Sequence, residues 1–400
     1  MTETWTLAAL WLGLALLTGL ASIWLRATSA LLEIVVGMGV GAALGSAAMG
    51  ADHEWVKFLA GAGAMLLTFL AGAEVEPDAF RRKWREATAI GLVSFFAPFL
   101  VCAAAARWLL GWDPAASLLA GVAMSTTSVA VVYAVMVEFG FNTTDYGRTV
   151  LAACFITDLA TMVALGLMFA PFTLKTLLFV GSLGAVAVAV PWLTRRLIRR
   201  YGGRASELET RYLLALLFGL GALATWADSE AVLASYVLGM MLAGSVGRDH
   251  ALIRRLRTLC FGLLTPFFFI RAGALVSLPA LVAAPGAFVL MLVTKVLAKT
   301  TGVYPVTRLF GSPRGEGLYT SMLMSTGLTF GTISALFGLT HNVVDQAQFS
   351  ALVAAVIASA VVPTLIANAW LLPRHHLPAP DAAAGAASSS ALHPSRGREN

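Results

Sequence analysis

The sequence places a single carboxylate, Asp158, in the middle of an apolar segment that extends from about Val150 to Ala170. A carboxylate at the centre of a membrane-spanning helix costs roughly 2.5–3.5 kcal/mol on insertion scales, so an ionisable residue at that depth indicates a functional site. Carboxylate oxygens are hard ligands that suit a proton or an alkali cation. Asp158 can hold a proton or one Na⁺ or K⁺ ion, but not both well, and competition at one alternately exposed site is sufficient for exchange.

Three basic residues are predicted at a similar depth: Lys295, Arg271 and, one turn nearer the cytoplasm than Lys295, Lys299. We expect Lys295 and Arg271 to be electrostatic partners of the Asp158 site. The alternative is a buried ion pair between Asp158 and one of these two residues that only fixes helix packing. For Arg271 the sequence favours a structural role, because a guanidinium stays charged and cannot carry a proton.

Two hydroxyl-rich stretches of similar sequence are predicted to flank Asp158. The first comprises Ser125, Thr126, Thr127 and Ser128, and the second contains Thr326, Thr329 and Thr332. The segments that carry them enter the bilayer from opposite sides in the predicted topology. Interrupted helices in two inverted halves are typical of substrate sites in secondary transporters, because unwound backbone can replace the water shell of a cation. Ser and Thr also permit close helix packing, but two antiparallel clusters around one buried carboxylate favour the site.

The composition indicates an all-α polytopic membrane protein as the frame for these residues. Of the 400 residues, 58% are hydrophobic and 12% are charged, and the mean hydropathy is +0.81. Soluble domains have roughly 45–50% apolar and 25% charged residues. A spanning helix needs about 20 apolar residues. Thirteen segments are predicted, at approximately 5–25, 30–49, 55–75, 87–110, 115–136, 148–170, 173–192, 209–227, 230–247, 259–278, 282–303, 316–339 and 349–372.

The alternation of basic and acidic loops along the sequence is consistent with thirteen membrane-spanning segments. Loops after odd-numbered segments carry the basic clusters, for example Arg81 and Arg82, whereas loops after even-numbered segments carry acids such as Asp52 and Asp113. The positive-inside rule therefore places the N-terminus outside and the C-terminus in the cytoplasm. The transmembrane domain is predicted over residues 1–372, and the Ala-, Ser- and Pro-rich residues 373–400 are predicted to form a disordered cytoplasmic tail.

Other classes of function are disfavoured by the same sequence. The net charge of +6 comes from basic residues in short loops, where they orient helices rather than bind nucleic acid. The three cysteines, Cys102, Cys154 and Cys260, lie in or beside apolar segments and form no metal-binding pattern. The sequence has no nucleophile, P-loop or dinucleotide motif, so we expect neither enzyme chemistry nor a cofactor. An ion channel is the alternative of another class, although one buried carboxylate between two broken helices argues against a continuous pore.

The motifs around these residues resemble the monovalent cation/proton antiporter superfamily, the membrane domain of sodium/hydrogen exchangers. The resemblance covers about residues 5–372, and its carriers lie at 71–78, 125–135, 155–162, 292–295, 325–338 and 359–364. It implies an inverted-repeat fold with two crossing broken helices, core helices at about 87–170 and 282–372, and dimerisation helices. It also implies a homodimer, an elevator-like movement that exposes the site alternately, and a pairing in which Lys295 faces the cation- and proton-binding Asp158.

One position departs from the family's pattern. Relatives carry Asp-Asp or Asn-Asp where this chain has Thr157 and Asp158. The Thr157 hydroxyl offers a lone pair to a cation but cannot store charge. With Asp158 as the only titrating carrier, one proton exchanges for one cation and transport is electroneutral, whereas a proton released from Lys295 would make it electrogenic. We therefore expect an inner-membrane antiporter that exchanges Na⁺ for H⁺, with K⁺/H⁺ exchange or potassium efflux as the alternative.

Overall fold

The computed structural model describes residues 2–25, 28–73, 83–141, 144–169, 174–201, 207–227, 231–244, 246, 249–283 and 285–373. Within these ranges the regular structure is helical, as the composition predicts. The acidic part of the 71–78 motif and residues 374–400 of the predicted tail lie outside the described residues.

The helices follow one another with short connections. In chain order they are α1 (Thr2–Leu25), α2 (Ser29–Leu44), α3 (Glu54–Ala73), α4 (Trp84–Trp108), α5 (Pro114–Ser125), α6 (Val129–Glu138), α7 (Asp145–Phe169), α8 (Leu174–Tyr201), α9 (Leu208–Trp226), α10 (Ala231–Leu242), α11 (His250–Leu259), α12 (Thr265–Ala274), α13 (Leu278–Ala283), α14 (Pro285–Leu309), α15 (Arg314–Met324), α16 (Thr329–Thr340) and α17 (Gln346–Ile366). Two π-helical turns, Cys260–Leu264 and Ala367–Leu371, join α11 to α12 and extend α17.

Each of the thirteen predicted segments overlaps one helix or one interrupted helix. Among the described residues, 10 helical stretches are long and apolar enough to cross a membrane, which makes the chain a multi-span membrane protein. The helix α2, with 16 residues, is shorter than predicted because Gly45, with a φ of 86°, ends it before the predicted boundary at residue 49. The count of thirteen spans and the orientation of the termini stay predictions.

Two of the predicted segments are interrupted at their hydroxyl-rich stretches. Between α5 and α6 the backbone is extended at Thr126, with φ −63° and ψ 152°. The hydroxyls of Ser125 and Thr126 donate to carbonyls three residues earlier, at 2.7 and 3.1 Å. Such bonds compete with the helical pattern and weaken the helix at this point. Between α15 and α16 the backbone leaves the helical region at Leu328, with φ −150° and ψ −78°.

The two interrupted helices run antiparallel and meet at their breaks. The Thr127 hydroxyl of the first donates to the Met324 carbonyl of the second at 2.9 Å. A Cβ on Gly331 would lie 3.0 Å from the Ala123 carbonyl oxygen. Residue numbers therefore rise along one helix as they fall along the other, and the breaks lie against each other.

The helix α4 lies at the centre of the helices that surround these breaks. It packs against α5, α7 and α14, and α14 also packs against α15 and α17. In a second group of helices, α2 packs on α12, and α3 packs on α10 and α12. Glycines bring backbones into contact there: a Cβ on Gly273 would lie 2.0 Å from the Ile34 carbonyl oxygen, and one on Gly72 would lie 2.3 Å from the Tyr236 carbonyl oxygen.

Two hydrogen bonds connect loops and helix ends on one side of the molecule. The Arg271 Nε donates to the Ala51 carbonyl at 2.8 Å. The Ser277 backbone N–H donates to the Ser350 Oγ, also at 2.8 Å. All four residues lie in or near loops that follow even-numbered segments, so these loops share one face of the molecule.

Candidate functional site

Asp158 lies on α7 and is 1% exposed. Its Oδ1 atom is buried without a hydrogen-bond partner. None of the ion pairs among the described residues includes it. Because a buried charge is costly unless it is paired, this oxygen is the atom of the site that a bound proton or cation would satisfy. The functional role of Asp158 stays a prediction from the sequence.

The basic residue that interacts electrostatically with Asp158 is Lys299 of α14. Its Nζ donates to the Ser94 Oγ of α4 and to the Thr127 Oγ1 at the first break, both at 2.8 Å. The Thr127 hydroxyl uses its own proton on the Met324 carbonyl, so its oxygen accepts from the lysine. Lys299 thus links α14 to α4, to the first break and, through Thr127, to the second interrupted helix.

Lys295 of α14 lies at the second break. Its Nζ donates to the Ser359 Oγ of α17 at 3.1 Å, and a Cβ on Gly327 would lie 2.2 Å from that Nζ. Ser359 in turn donates to the Val356 carbonyl at 2.8 Å. Since Lys295 and Lys299 are one turn apart, α14 presents one buried ammonium group to each break.

The structure places Arg271 away from Asp158. The side chain is 6% exposed, and its Nε donates to the Ala51 carbonyl at 2.8 Å. One guanidinium nitrogen lies 3.8 Å from the Asp52 carboxylate. The carboxylate partner of Arg271 is therefore Asp52 rather than Asp158, because the loop between α2 and α3 offers the carbonyl and carboxylate oxygens that a guanidinium binds.

The structure brings three of the predicted hydroxyl residues together where the breaks cross. Besides the bond from Thr127 to Met324, the Ser128 backbone N–H donates to the Thr326 Oγ1 at 3.4 Å. The other predicted hydroxyl residues are Ser125, Thr126 and Thr332, which are fully buried and donate to carbonyls of their own segments, and Thr329, which is half-buried at the first residue of α16.

Thr157 is buried where α7 crosses α4. Its Oγ1 donates to the Ala153 carbonyl at 3.0 Å and to the Gly91 carbonyl of α4 at 3.1 Å. A Cβ on Gly91 would lie 2.8 Å from the Ala153 carbonyl oxygen, so the two helices touch at this point. The hydroxyl proton is shared between these carbonyls, and the oxygen lone pairs are what Thr157 can offer to a cation.

Three residues that contact the site were not predicted from the sequence. Ser94 and Ser359 hold the two lysines, and the position of Ser359 inside the 359–364 motif was the one available signal. Tyr236 of α10 donates its hydroxyl to the Phe155 carbonyl of α7 at 3.3 Å and interacts with the charge of Asp158. A tyrosine within an apolar segment has the sequence signature of an ordinary core aromatic residue, so no pattern marked it.

A cavity of about 270 Å³ lies between the first turns of α4, α7 and α15 and the end of α14. Its acidic lining residues are Glu86, Asp145 and Glu316, accompanied by threonine and tyrosine hydroxyls. All four helix ends belong to loops that follow odd-numbered segments. The cavity is therefore on the face that the loop charges predict to be cytoplasmic.

An all-α membrane protein with two interrupted helices that meet beside a buried carboxylate has the architecture of a secondary transporter. Comparison with known families agrees: the family described as "Sodium/hydrogen exchanger, transmembrane" matches residues 12–372. The chain belongs to this family, whose members are cation/proton antiporters rather than enzymes.

Two relatives carry different cations in their names. The chain is 27% identical over 378 residues to the glutathione-regulated potassium-efflux system protein KefC of Enterobacter sp. (strain 638), covering 86% of this chain and 59% of that protein. It is 22% identical over 333 residues to the probable Na(+)/H(+) antiporter 3 of Methanocaldococcus jannaschii, covering 80% of this chain and 84% of that protein. The chain thus spans less than two thirds of the length of KefC.

The fold is similar to that of a solved antiporter. The structure of the sodium proton antiporter MjNhaP1 from Methanocaldococcus jannaschii at pH 8 superposes with a TM-score of 0.70, covering 92% of this chain and 96% of that chain. At 16% sequence identity, this similarity establishes the fold.

Proposed function

We propose that this protein is a secondary antiporter that exchanges Na⁺ for H⁺ and that Asp158 is the shared binding site. The observation that carries the proposal is the buried Oδ1 of Asp158, which lacks a hydrogen-bond partner next to two crossing interrupted helices. The cation and the proton are alternative ways to neutralise this one carboxylate. Coupling follows, because release of one ion is the condition for binding of the other.

Oxygen ligands for a cation are available around the carboxylate. The hydroxyls of Thr157 and of the two breaks are buried at this level, and the breaks free backbone carbonyls from helical pairing. Hydroxyl, carbonyl and carboxylate oxygens are hard donors of the type that alkali cations prefer. Na⁺ is the proposed substrate. Potassium is the second candidate, and the observation that supports it is the similarity to the potassium-efflux protein KefC.

Electroneutral exchange is proposed, with Asp158 as the only proton carrier. Both lysines of α14 already donate to hydroxyl acceptors, Lys299 to Ser94 and Thr127 and Lys295 to Ser359. These bonds hold the two amines in place, and electroneutral exchange requires that both stay protonated while the cation replaces the proton on Asp158. A lysine that loses its proton when the cation binds would give two protons per cation and an electrogenic cycle.

The cavity is proposed as the cytoplasmic route to Asp158. Its lining residue Val150 lies one turn before Cys154, and Asp158 follows one turn later on α7. The Cys154 Sγ lies 3.6 Å from the Met324 Sδ, so α7 contacts the end of α15 between the levels of Val150 and Asp158. Two turns of α7, about 12 Å, thus separate the cavity lining from the carboxylate.

The larger-scale assignments are proposals as well. The helices α4–α7 and α14–α17 would form the moving core, and the remaining helices would form the dimerisation domain of a homodimer in the plasma membrane. The separate packing of α2 on α12 and of α3 on α10 supports this division. The proposed exchange predicts a function in cation and pH homeostasis.

The decisive experiment uses purified protein in liposomes that contain a pH-sensitive dye, challenged in turn with Na⁺, Li⁺ and K⁺. We expect proton release from the lumen on addition of the transported cation, and loss of that signal to the background level in Asp158→Asn and Asp158→Ala. The matched control is Glu54→Gln, which alters a carboxylate at a surface ion pair with Lys57 and should exchange at the wild-type rate.

Wild-type exchange in Asp158→Asn would refute the site. Cation flux that continues without proton movement would indicate a channel instead of an antiporter. A potassium/valinomycin clamp then separates the two stoichiometries, because a membrane potential alone drives net exchange only if the cycle is electrogenic.

A further inference from the structure

Tyr236 is a residue of α10, which packs against α3 to form a helix pair. It is completely buried, and its carbonyl oxygen would be 2.3 Å from a Cβ on Gly72, so its backbone lies directly on that of α3. The reciprocal contact is as close, since a Cβ on Gly239 would lie 2.1 Å from the Phe69 carbonyl oxygen. Backbone contacts of this kind leave α3 and α10 little freedom to move relative to each other.

The side chain of Tyr236 extends out of this pair towards the site. Its hydroxyl donates to the Phe155 carbonyl of α7 at 3.3 Å, and Phe155 lies one turn before Asp158. Its ring packs edge-on against Phe330 of α16, with ring centroids 5.9 Å apart and an interplanar angle of 88°. One side chain therefore connects the α3–α10 pair to the helix of the carboxylate and to the second interrupted helix.

We propose that Tyr236 is a positioning residue of the exchange cycle. In the conformation seen here, its hydroxyl holds the turn of α7 that carries Asp158 against the α3–α10 pair. The hydroxyl releases this turn when the site becomes exposed to the other face. This inference rests on the proposed function. The bond suits such a role because it is long, neutral and partly buried, and α10 packs mainly on α3 while touching α7 only locally. It is strong enough to bias a conformation and weak enough to break in each cycle.

The competing explanation is that Phe155 merely satisfies a buried phenol hydroxyl, which needs a partner wherever it lies. The two explanations differ in which equilibrium the hydroxyl affects. A hydrogen bond made in only one of the two orientations of the site changes the ratio of their populations. The apparent cation affinity measured from each face then changes with the fraction of molecules that expose the site to that face. A hydrogen bond that is kept throughout the cycle leaves the ratio of the apparent affinities at the two faces unchanged.

The test is Tyr236→Phe, which removes the hydroxyl and keeps the ring against Phe330. Cation activation of exchange is measured in membrane vesicles of both orientations. The net contribution of one neutral hydrogen bond corresponds to about a two- to tenfold change in an equilibrium constant. We expect the half-saturating cation concentration on the cavity face, divided by that on the opposite face, to rise by about this factor.

The matched control is Tyr212→Phe, which removes a hydroxyl that shares a 3.1 Å hydrogen bond with Thr194 between α8 and α9. It should leave the ratio unchanged. A second variant, Tyr236→Leu, loses both hydroxyl and ring and must shift the ratio in the same direction.

An unchanged ratio in Tyr236→Phe, with or without an equal loss of maximal rate on both faces, would overturn the positioning role. The positioning role and the proposed function fail differently. Absence of exchange in the wild-type protein refutes the proposed function, and the inference with it, whereas a normal wild type with an unchanged Tyr236→Phe ratio refutes the inference alone.

Discussion

Replacing Gly327 with alanine tests the placement of Lys295 at the second break. The new Cβ would lie 2.2 Å from the Lys295 Nζ, 3.0 Å from the Thr126 Oγ1 and 3.3 Å from the Ser359 Oγ. Ordinary contact begins at 3.4 Å, so the ammonium group must retreat by about 1.2 Å. Gly327 is not among the glycines with positive φ, so the substitution acts through steric contacts, of which the one with Lys295 is by far the shortest.

That retreat breaks the 3.1 Å bond between the Lys295 Nζ and the Ser359 Oγ. A hydrogen bond from a charged group contributes about 1.5–3 kcal/mol, and every 1.4 kcal/mol is a factor of about ten in a rate or equilibrium constant. If the arrangement at the break is needed for transport, Gly327→Ala should slow exchange by about ten- to a hundredfold in the liposome assay. Gly315→Ala is the matched control on α15, because a Cβ there has nothing within 4 Å.

A double-mutant cycle identifies the cause of the loss. Methionine at position 295 ends one atom short of the ammonium nitrogen, so Gly327→Ala should cost little more in a Lys295→Met background. Independent effects would instead add. The reasoning is refuted if Gly327→Ala exchanges at the wild-type rate, or if it slows Lys295→Met as much as it slows the wild type.

Three further variants test other contacts of the site. Lys299→Met removes the charge that acts on Asp158 and two 2.8 Å bonds, so we expect at least tenfold slower exchange. A membrane potential alone should still drive no net exchange in this variant, whereas a wild type that is driven by the potential and loses this response in the variant would assign a second proton to Lys299. Arg271→Met should keep exchange and lower the free energy of unfolding by about 1.5–3 kcal/mol in detergent melts, whereas lost exchange at unchanged stability would contradict its structural role. Thr157→Val should raise the half-saturating cation concentration several-fold at an unchanged maximal rate, and an unaltered concentration would remove Thr157 from the site.

Helix positions could be predicted because the bilayer demands long apolar segments. The segment predicted at 148–170 is α7, Asp145–Phe169, and both hydroxyl-rich stretches coincide with breaks in their helices. Prediction failed where one residue decided the outcome. The helix α2 ends at Gly45 although the apolar run continues to residue 49, because a residue at φ 86° cannot continue the helix.

The partners of the two lysines could be predicted less well than their depth. Position along a helix gives the depth of a side chain but not its neighbour, and Lys295 and Lys299 share one face of α14, so spacing alone did not show that Lys299 interacts with Asp158. For Arg271 an additional effect operated. The helix α12 ends at Ala274, within one turn of Arg271, so the guanidinium lies against the loop between α2 and α3 instead of at the depth predicted for Lys295.

The two ammonium groups that α14 presents to the breaks have an electrical consequence. While both lysines are protonated, Lys295, Lys299 and an ionised Asp158 sum to one positive charge, and a bound H⁺ or Na⁺ raises the sum to two. In electroneutral exchange the site then moves across the membrane with the same two positive charges in both half-cycles, in one direction with H⁺ bound and in the other with Na⁺ bound. Moving one charge through the whole field involves about 2.3 kcal/mol per 100 mV. Recordings from a supported membrane should therefore show transient currents of opposite sign for the two half-cycles, although the steady-state current is zero.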